Sequence, residues 1–184
     1  MPALPEWRGI IDYMAVPAET LRQHLDYTAW ASQRLMGAAA ELTPEELTRD
    51  FKTSDKTVVD TLAHIFAADR IWLQRIHGNP QKVFIEPADR DFERLREAWP
   101  ALHRQWKDWA ASLTDQKAAA TLSYRDMKGN AYEQPLWQVI LHVVNHGSHH
   151  RGMVSGFLRA MGHTPPMLDM IFFYRALAAG SATS

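Results

Sequence analysis

The sequence predicts an all-α, up-and-down-type four-helix bundle with a small β-hairpin before the last long helix. Three observations carry that expectation. Apolar residues recur at steps of three and four over four long segments, and most of these segments are bounded by helix start or stop signals. The stretch Thr121 to Gln134 breaks the pattern, mixing aromatic and polar residues around Lys128-Gly129-Asn130 in the manner of a hairpin. The 184 residues suit one domain, 1–184, long enough to bury a core without disulfides or a structural metal.

The first helix is expected from about Pro17 to Glu41, where Leu21, Leu25, Thr28, Ser32, Leu35 and Ala39 share one face. Thr43-Pro44-Glu45-Glu46 reads as a capping box with proline at the first helical position, so a short helical turn follows before a linker at Phe51 to Asp55. The second long helix is expected from about Lys56 to His77, with Gly78 as its stop. The third carries the stripe Phe92, Leu95, Trp99, Leu102, Trp106, Trp109 and Leu113, and Pro100 within it is expected to kink or split the helix. The fourth starts at Pro135 and ends at Gly162; beyond Pro165-Pro166, a short apolar helix from Leu168 to about Ala178 closes the chain.

With 46% hydrophobic and 22% charged residues and a formal net charge of −1, the chain reads as globular. Its mixed charges give no basic patch, so a nucleic-acid partner is not expected. The absence of cysteine excludes disulfides, thiolate metal sites and a protein-borne thiol nucleophile. No stretch approaches the ~20 apolar residues of a membrane span and the N-terminus does not read as a signal peptide, so a membrane partner is not expected and the protein is expected to be cytoplasmic.

Nine histidines need sorting by helical geometry. On a wheel of ~100° per residue with Leu136 at zero, Val143, Gly147, Val154, Leu158 and Met161 lie within roughly 40° of it. His150 falls at about 320° and His146 at about 280°, inside or bordering the apolar sector, whereas His142 and His149 drift to about 240° and 220° and read as exposed or one step removed. His146 and His150 thus form an i, i+4 pair able to meet one metal ion. The spacing fits equally well two core histidines bonded to backbone or carboxylate. A third ligand must come from another helix, and His64, among the small residues Thr61, Ala67 and Ala68, is the best candidate. It points away from the main apolar arc of its helix, as a cleft wall or a solvated face would require.

These residues resemble the DinB-like or YfiT-like four-helix-bundle family, first noted as damage-inducible. The resemblance covers roughly Pro17 to Leu177. It rests on Tyr27-x-x-Trp30-Ala31, His64 with Trp72 eight residues on, the hairpin, and the segment from Leu141 through His146-Gly147-Ser148-His149-His150-Arg151-Gly152. It implies a divalent metal, zinc or nickel, held by His64, His146 and His150, and a homodimer. Ser32 and Met153 depart from the family's usual Asn and Gln, and neither change removes a ligand.

Three neutral imidazoles leave coordination positions for water or substrate, as in catalytic sites. Related proteins include metal-dependent thiol transferases, so the expected function is a metal-dependent enzyme acting on small molecules, of thiol-transferase or hydrolase type. Its partners would be a low-molecular-weight thiol and an electrophile in a cleft near Trp30 and Trp72. The alternative is a non-catalytic metal-binding stress-response dimer. Glu-x-x-His di-iron motifs, a His-Glu-x-x-His motif and a Gly-x-Ser-x-Gly elbow are absent. Asp69 is expected to bond locally, and Arg151 either to neutralise an acidic substrate or to pair with a structural carboxylate. His24, His77, His103 and His163 show no convergent partner and are assigned to the surface.

Overall fold

The computed structural model describes residues 15–79 and 83–180. In it α1 spans Ala18–Ala39, the short α2 Pro44–Leu47, α3 Val58–Ile76, α4 Phe92–Ala111, the short α5 Asp115–Ala119, α6 Leu136–Ala160 and α7 Met170–Ala178. Strands β1 (Thr121–Arg125) and β2 (Ala131–Pro135) form the expected antiparallel hairpin, with Tyr124 opposite Tyr132 and Gly129 at φ +87° in its turn.

The boundaries have local causes. The capping box forms: the Thr43 hydroxyl accepts from the Glu46 amide at 3.3 Å, and the Thr43 amide donates to the Glu46 carboxylate at 2.9 Å. Helix α3 starts at Val58 rather than Lys56 because Lys56 has φ +60°, outside the right-handed helical region, and Thr57 then caps the helix by accepting from the Asp60 amide. Gly78, at φ +75°, stops it. Pro100 does not split α4, which runs unbroken from Phe92 to Ala111. The Trp99 indole donates to the Asp69 carboxylate and the Trp106 indole to the Asp69 carbonyl, so α4 is tied to α3 at residues flanking the proline.

The four long helices form a bundle around a core that includes Leu35, Leu62, Ile65, Leu95, Trp99, Ile140 and Leu158, each almost fully buried. All six residues of the expected α1 face are buried, as are Leu95, Trp99, Leu102, Trp106 and Leu113 of the third-helix stripe. Around the bundle the order is α1, α4, α3, α6, each packed on the next and α6 on α1. The start of α1 meets the end of α4, where Arg22 donates to the Leu113 carbonyl at 2.7 Å, so these two run antiparallel. Asp60 pairs with Arg90 just before α4, and Phe66 lies against Trp99 further along, so α3 and α4 run parallel. Trp72 meets His142 whereas His64 meets His150, so α3 and α6 run antiparallel. Within the expected class, the direction sequence is therefore up-down-down-up.

The crossover that permits a parallel α3 and α4 contains a 3-10 turn, Pro87–Arg90. Arg70 of α3 grips its buried Asp89 with two hydrogen bonds of 2.8 and 2.7 Å, a bidentate geometry that fixes the crossover's position. Helix α7 docks across α1 and α6 through a second apolar cluster of Tyr27, Ala31, Val144 and Phe173. Among the described residues, no helix is long and apolar enough to cross a membrane.

Candidate metal centre

Helix periodicity places His146 and His150 one turn apart on α6, with ring centroids 4.5 Å apart. Antiparallel packing of α3 brings His64 onto the same spot, 4.9 Å from the His146 ring and 4.3 Å from the His150 ring. One nitrogen from each of the three lies within 4.8 Å of the others, a group that could hold a metal ion. The Nε2 atoms of His64 and His146 are 3.0 Å apart. Two nitrogens at ~2.05 Å from one tetrahedral ion would be about 3.3 Å apart, so the rings need only a small adjustment to share one.

Burial prepares these rings as ligands. His146 is pushed down to about 3, first by loss of solvent and then by the neighbouring His150, His64, His142 and His149. His64 and His150 are lowered chiefly by burial, with Asp55 opposing. Near neutral pH all three rings are therefore uncharged, with lone pairs free for a metal.

Asp55, at the end of the linker that the sequence predicts, joins the candidate site with no signal in the sequence to mark it. Its Oδ2 lies 3.2 Å from His150 Nδ1, short of hydrogen-bond alignment, and its Oδ1 lies 3.6 Å from His64 Nδ1. One carboxylate thus stands beside the Nδ1 atoms of two rings, close enough that a small rotation would let it accept from either and orient it as a ligand. A tight loop delivers it: the Phe51 amide donates to the Lys56 carbonyl at 2.7 Å, and both Lys52 and Lys56 have φ near +60°. No periodicity marks such a residue.

Beyond the three rings, His142 lies 5.7 Å from His146 and packs edge-on against Trp72, which in turn meets Tyr124 of the hairpin. His149 is exposed, 4.9 Å from the His150 ring. Phe84 presents an edge to His64. Trp72 therefore borders the histidines, but Trp30 does not: it packs with Tyr27 and Phe173 and lines a different cavity, so the two tryptophans do not flank one cleft.

Five other expectations are corrected. Asp69 does not bond locally but accepts from Trp99 Nε1, 30 residues away, at 3.0 Å. His103 is not a surface residue; its side chain is 13% exposed, stacks on Trp99 and lies 3.7 Å from Asp69. His24 is half-buried, and His163 meets Glu46 at 2.8 Å, whereas His77 is exposed as expected. Among the described residues, Arg151 pairs with no carboxylate. Fully buried, it donates to the Ser32 and Ser148 hydroxyls at 3.2 and 3.1 Å, and its guanidinium lies 5.4 Å from the Tyr27 ring centroid. Gly147 makes room for it, since a Cβ there would sit 2.8 Å from the guanidinium. Met153, the other departure from the family pattern, packs against the main core.

The fold and the site together define the class: a four-helix bundle in which three histidines, uncharged near neutral pH, converge between two of the long helices. Comparison with known proteins places it further: residues 14–179 match the DinB family, and the chain belongs to that family. Protein DinB of Bacillus subtilis (strain 168) is 21% identical over 154 residues, covering 78% of this chain and 87% of that protein. A crystal structure of a DinB-like protein from Bacillus cereus ATCC 10987 superposes with a TM-score of 0.66 at 19% identity, covering 84% of this chain and 99% of the other. That likeness speaks for the fold.

Proposed function

We propose that this protein holds one divalent transition metal, zinc or nickel, through His64, His146 and His150, and acts as a metal-dependent enzyme on small molecules, of thiol-transferase or hydrolase type. The observation that carries this reading is the convergence of three neutral imidazoles backed by one carboxylate, with no fourth histidine, aspartate or glutamate joining the group among the described residues. Such a donor set suits either metal and leaves positions for water or substrate. When bound, the metal supplies Lewis acidity, which lowers the pKa of a coordinated water toward 7 and ionises a coordinated thiol.

The chain's own residues do the rest. Burial at the α3–α6 contact keeps the three imidazoles uncharged near neutral pH, and Asp55 stands beside the Nδ1 atoms of His64 and His150. The side chains of His64 and His150 keep 22% and 11% exposure, so a small molecule can reach the cluster. Phe84 borders it with apolar surface, and Trp72 stands one ring further out, against His142.

The test is elemental analysis of protein purified without a polyhistidine tag, followed by a screen of small thiols against electrophiles and of simple esters and amides. About one metal per chain and turnover that chelation removes are expected. Metal content far below one per chain after zinc and nickel reconstitution would refute the reading. A second reading is a non-catalytic metal-binding stress-response dimer, favoured by the low exposure of the His64 and His150 side chains, which narrows access for a substrate. Metal binding without turnover would select it. Both readings include a homodimer, supported by the exposed apolar residues Met167, Ile171, Tyr174 and Leu177 on and beside α7. Light scattering at micromolar concentration should give about twice 21.0 kDa, and a monomer alone would remove that part.

A further inference from the structure

A cavity of about 990 Å³ opens between α1 and α4, and none of its lining residues belongs to the histidine cluster. Its deep end is unusual chemically. Asp69 lines it at 1% exposure, with Oδ2 accepting from the Trp99 indole and Oδ1 making no hydrogen bond within the protein. His103 and Thr28 also line the cavity, and His103 Nε2, 3.7 Å from Asp69 Oδ2, and the Thr28 hydroxyl are likewise buried and without hydrogen-bond partners. A buried carboxylate oxygen left without a donor is costly, and a well-packed core excludes such groups unless something meets them. Buried Arg151 acts on Asp69 through space, which favours a neutral hydrogen-bond donor over a second cation at this end.

The walls and mouth differ from the floor. Trp30, Trp99, Trp106 and Phe173 supply flat apolar surface, suited to a ring system. At the mouth, Arg104 and Lys107 stand three residues apart on α4 and are exposed; Asp26 lies within reach of Lys107, and with Arg22, Arg96 and Glu41 also lining the cavity, cations outnumber these two acids four to two. We propose that this cavity is a binding site for a small, largely apolar, ring-containing anion. Its inner end donates a neutral O–H or N–H to Asp69, and its anionic group lies between Arg104 and Lys107. The site is independent of the metal reading, since it shares no residue with the histidines.

The probe is 1-anilinonaphthalene-8-sulfonate, which combines aromatic rings, an N–H donor and a sulfonate, titrated by fluorescence into the folded full chain at low salt. Saturable binding at one probe per chain is expected, weakening as salt rises. Asp69→Asn should weaken it about tenfold, the size of one hydrogen bond to a charged acceptor. The surface double variant Arg104→Gln/Lys107→Gln should weaken it about threefold or more. Ile171→Ser, on the exposed apolar face outside the cavity, should leave it unchanged. No saturable binding below 1 mM, about −4 kcal/mol, would overturn the proposal, as would binding that Ile171→Ser abolishes while the other variants leave it intact. If Asp69→Asn loses cooperative unfolding, the double variant decides the matter, because both its residues are exposed.

Discussion

Replacing Asp55 with asparagine tests the metal centre at the point where structure adds most to sequence. The carboxylate lies 3.2 Å from His150 Nδ1 and 3.6 Å from His64 Nδ1, with its side chain 16% exposed. An amide of the same shape offers one oxygen and one NH2, so one of the two rings then faces a donor in place of a carboxylate oxygen. It also removes the negative charge that makes both imidazoles better ligands. Loss of one such supporting carboxylate typically weakens metal affinity 10–100-fold, about 1.4–2.7 kcal/mol, and the upper half is expected here because one group serves two ligands. The fold should be little affected: the loop contact at this position is the Asp55 backbone carbonyl accepting from the Thr57 amide, which the substitution leaves in place. Zinc affinity is to be measured by competition with a chromophoric chelator at pH 7.5, with thermal unfolding of the metal-free proteins alongside. Asp50→Asn is the control, being in the same loop but paired with Lys52 at the surface. Equal affinities for Asp55→Asn, Asp50→Asn and the unchanged protein would refute the role assigned to Asp55.

Alanine at His146 or His150 should abolish stoichiometric metal, whereas alanine at the exposed His77 should not; equal metal content in the three variants would sink the ligand assignment. His146 has a folded-state value of about 3 against about 6.5 in the unfolded chain, so the unfolded chain takes up the proton first. Stability of the metal-free protein is therefore full above about pH 6.5 and falls as pH drops from there toward about 3. After discounting for partial exposure, about 1 kcal/mol should be lost by pH 5, read as the shift in urea midpoint, and His146→Ala should flatten that slope. On α6, Gly156→Ala should stabilise by about 0.5–1 kcal/mol, because its Cβ enters open space and alanine favours helix. Gly147→Ala should destabilise by up to about 2 kcal/mol, as the same gain is outweighed by displacing the buried Arg151 guanidinium. Thermal unfolding of the two variants checks the opposite signs.

How legible the molecule was depended on the range of the interaction concerned. Capping at Thr43, the stop at Gly78, the α4 stripe and the hairpin around Gly129 follow from local geometry, which the chain writes into neighbouring residues. Pro100 shows the limit of local rules: proline disfavours helix interiors, but Asp69 accepts from Trp99 and Trp106 on either side of it, and those distant contacts hold α4 in one piece. His103 and His24 were misjudged for the same reason. A residue's burial depends on which helix covers it, and that partner is not a neighbour in sequence.

By itself the sequence determined the helices, the hairpin, the core faces and the i, i+4 pair of His146 and His150, because backbone periodicity translates residue spacing directly into direction in space. His64 came into that set as a candidate from sequence and family likeness, and its proximity is a consequence of antiparallel packing between α3 and α6. Only the tertiary structure decided that α3 and α4 run parallel, that Asp55 stands behind two histidines, that Arg151 is sealed against Tyr27 and two serines, and that Asp69 faces a second cavity. Each of these joins residues separated by a loop or by whole helices, and the direction in which a loop sends the chain is set by long-range packing rather than by the pattern along any one segment.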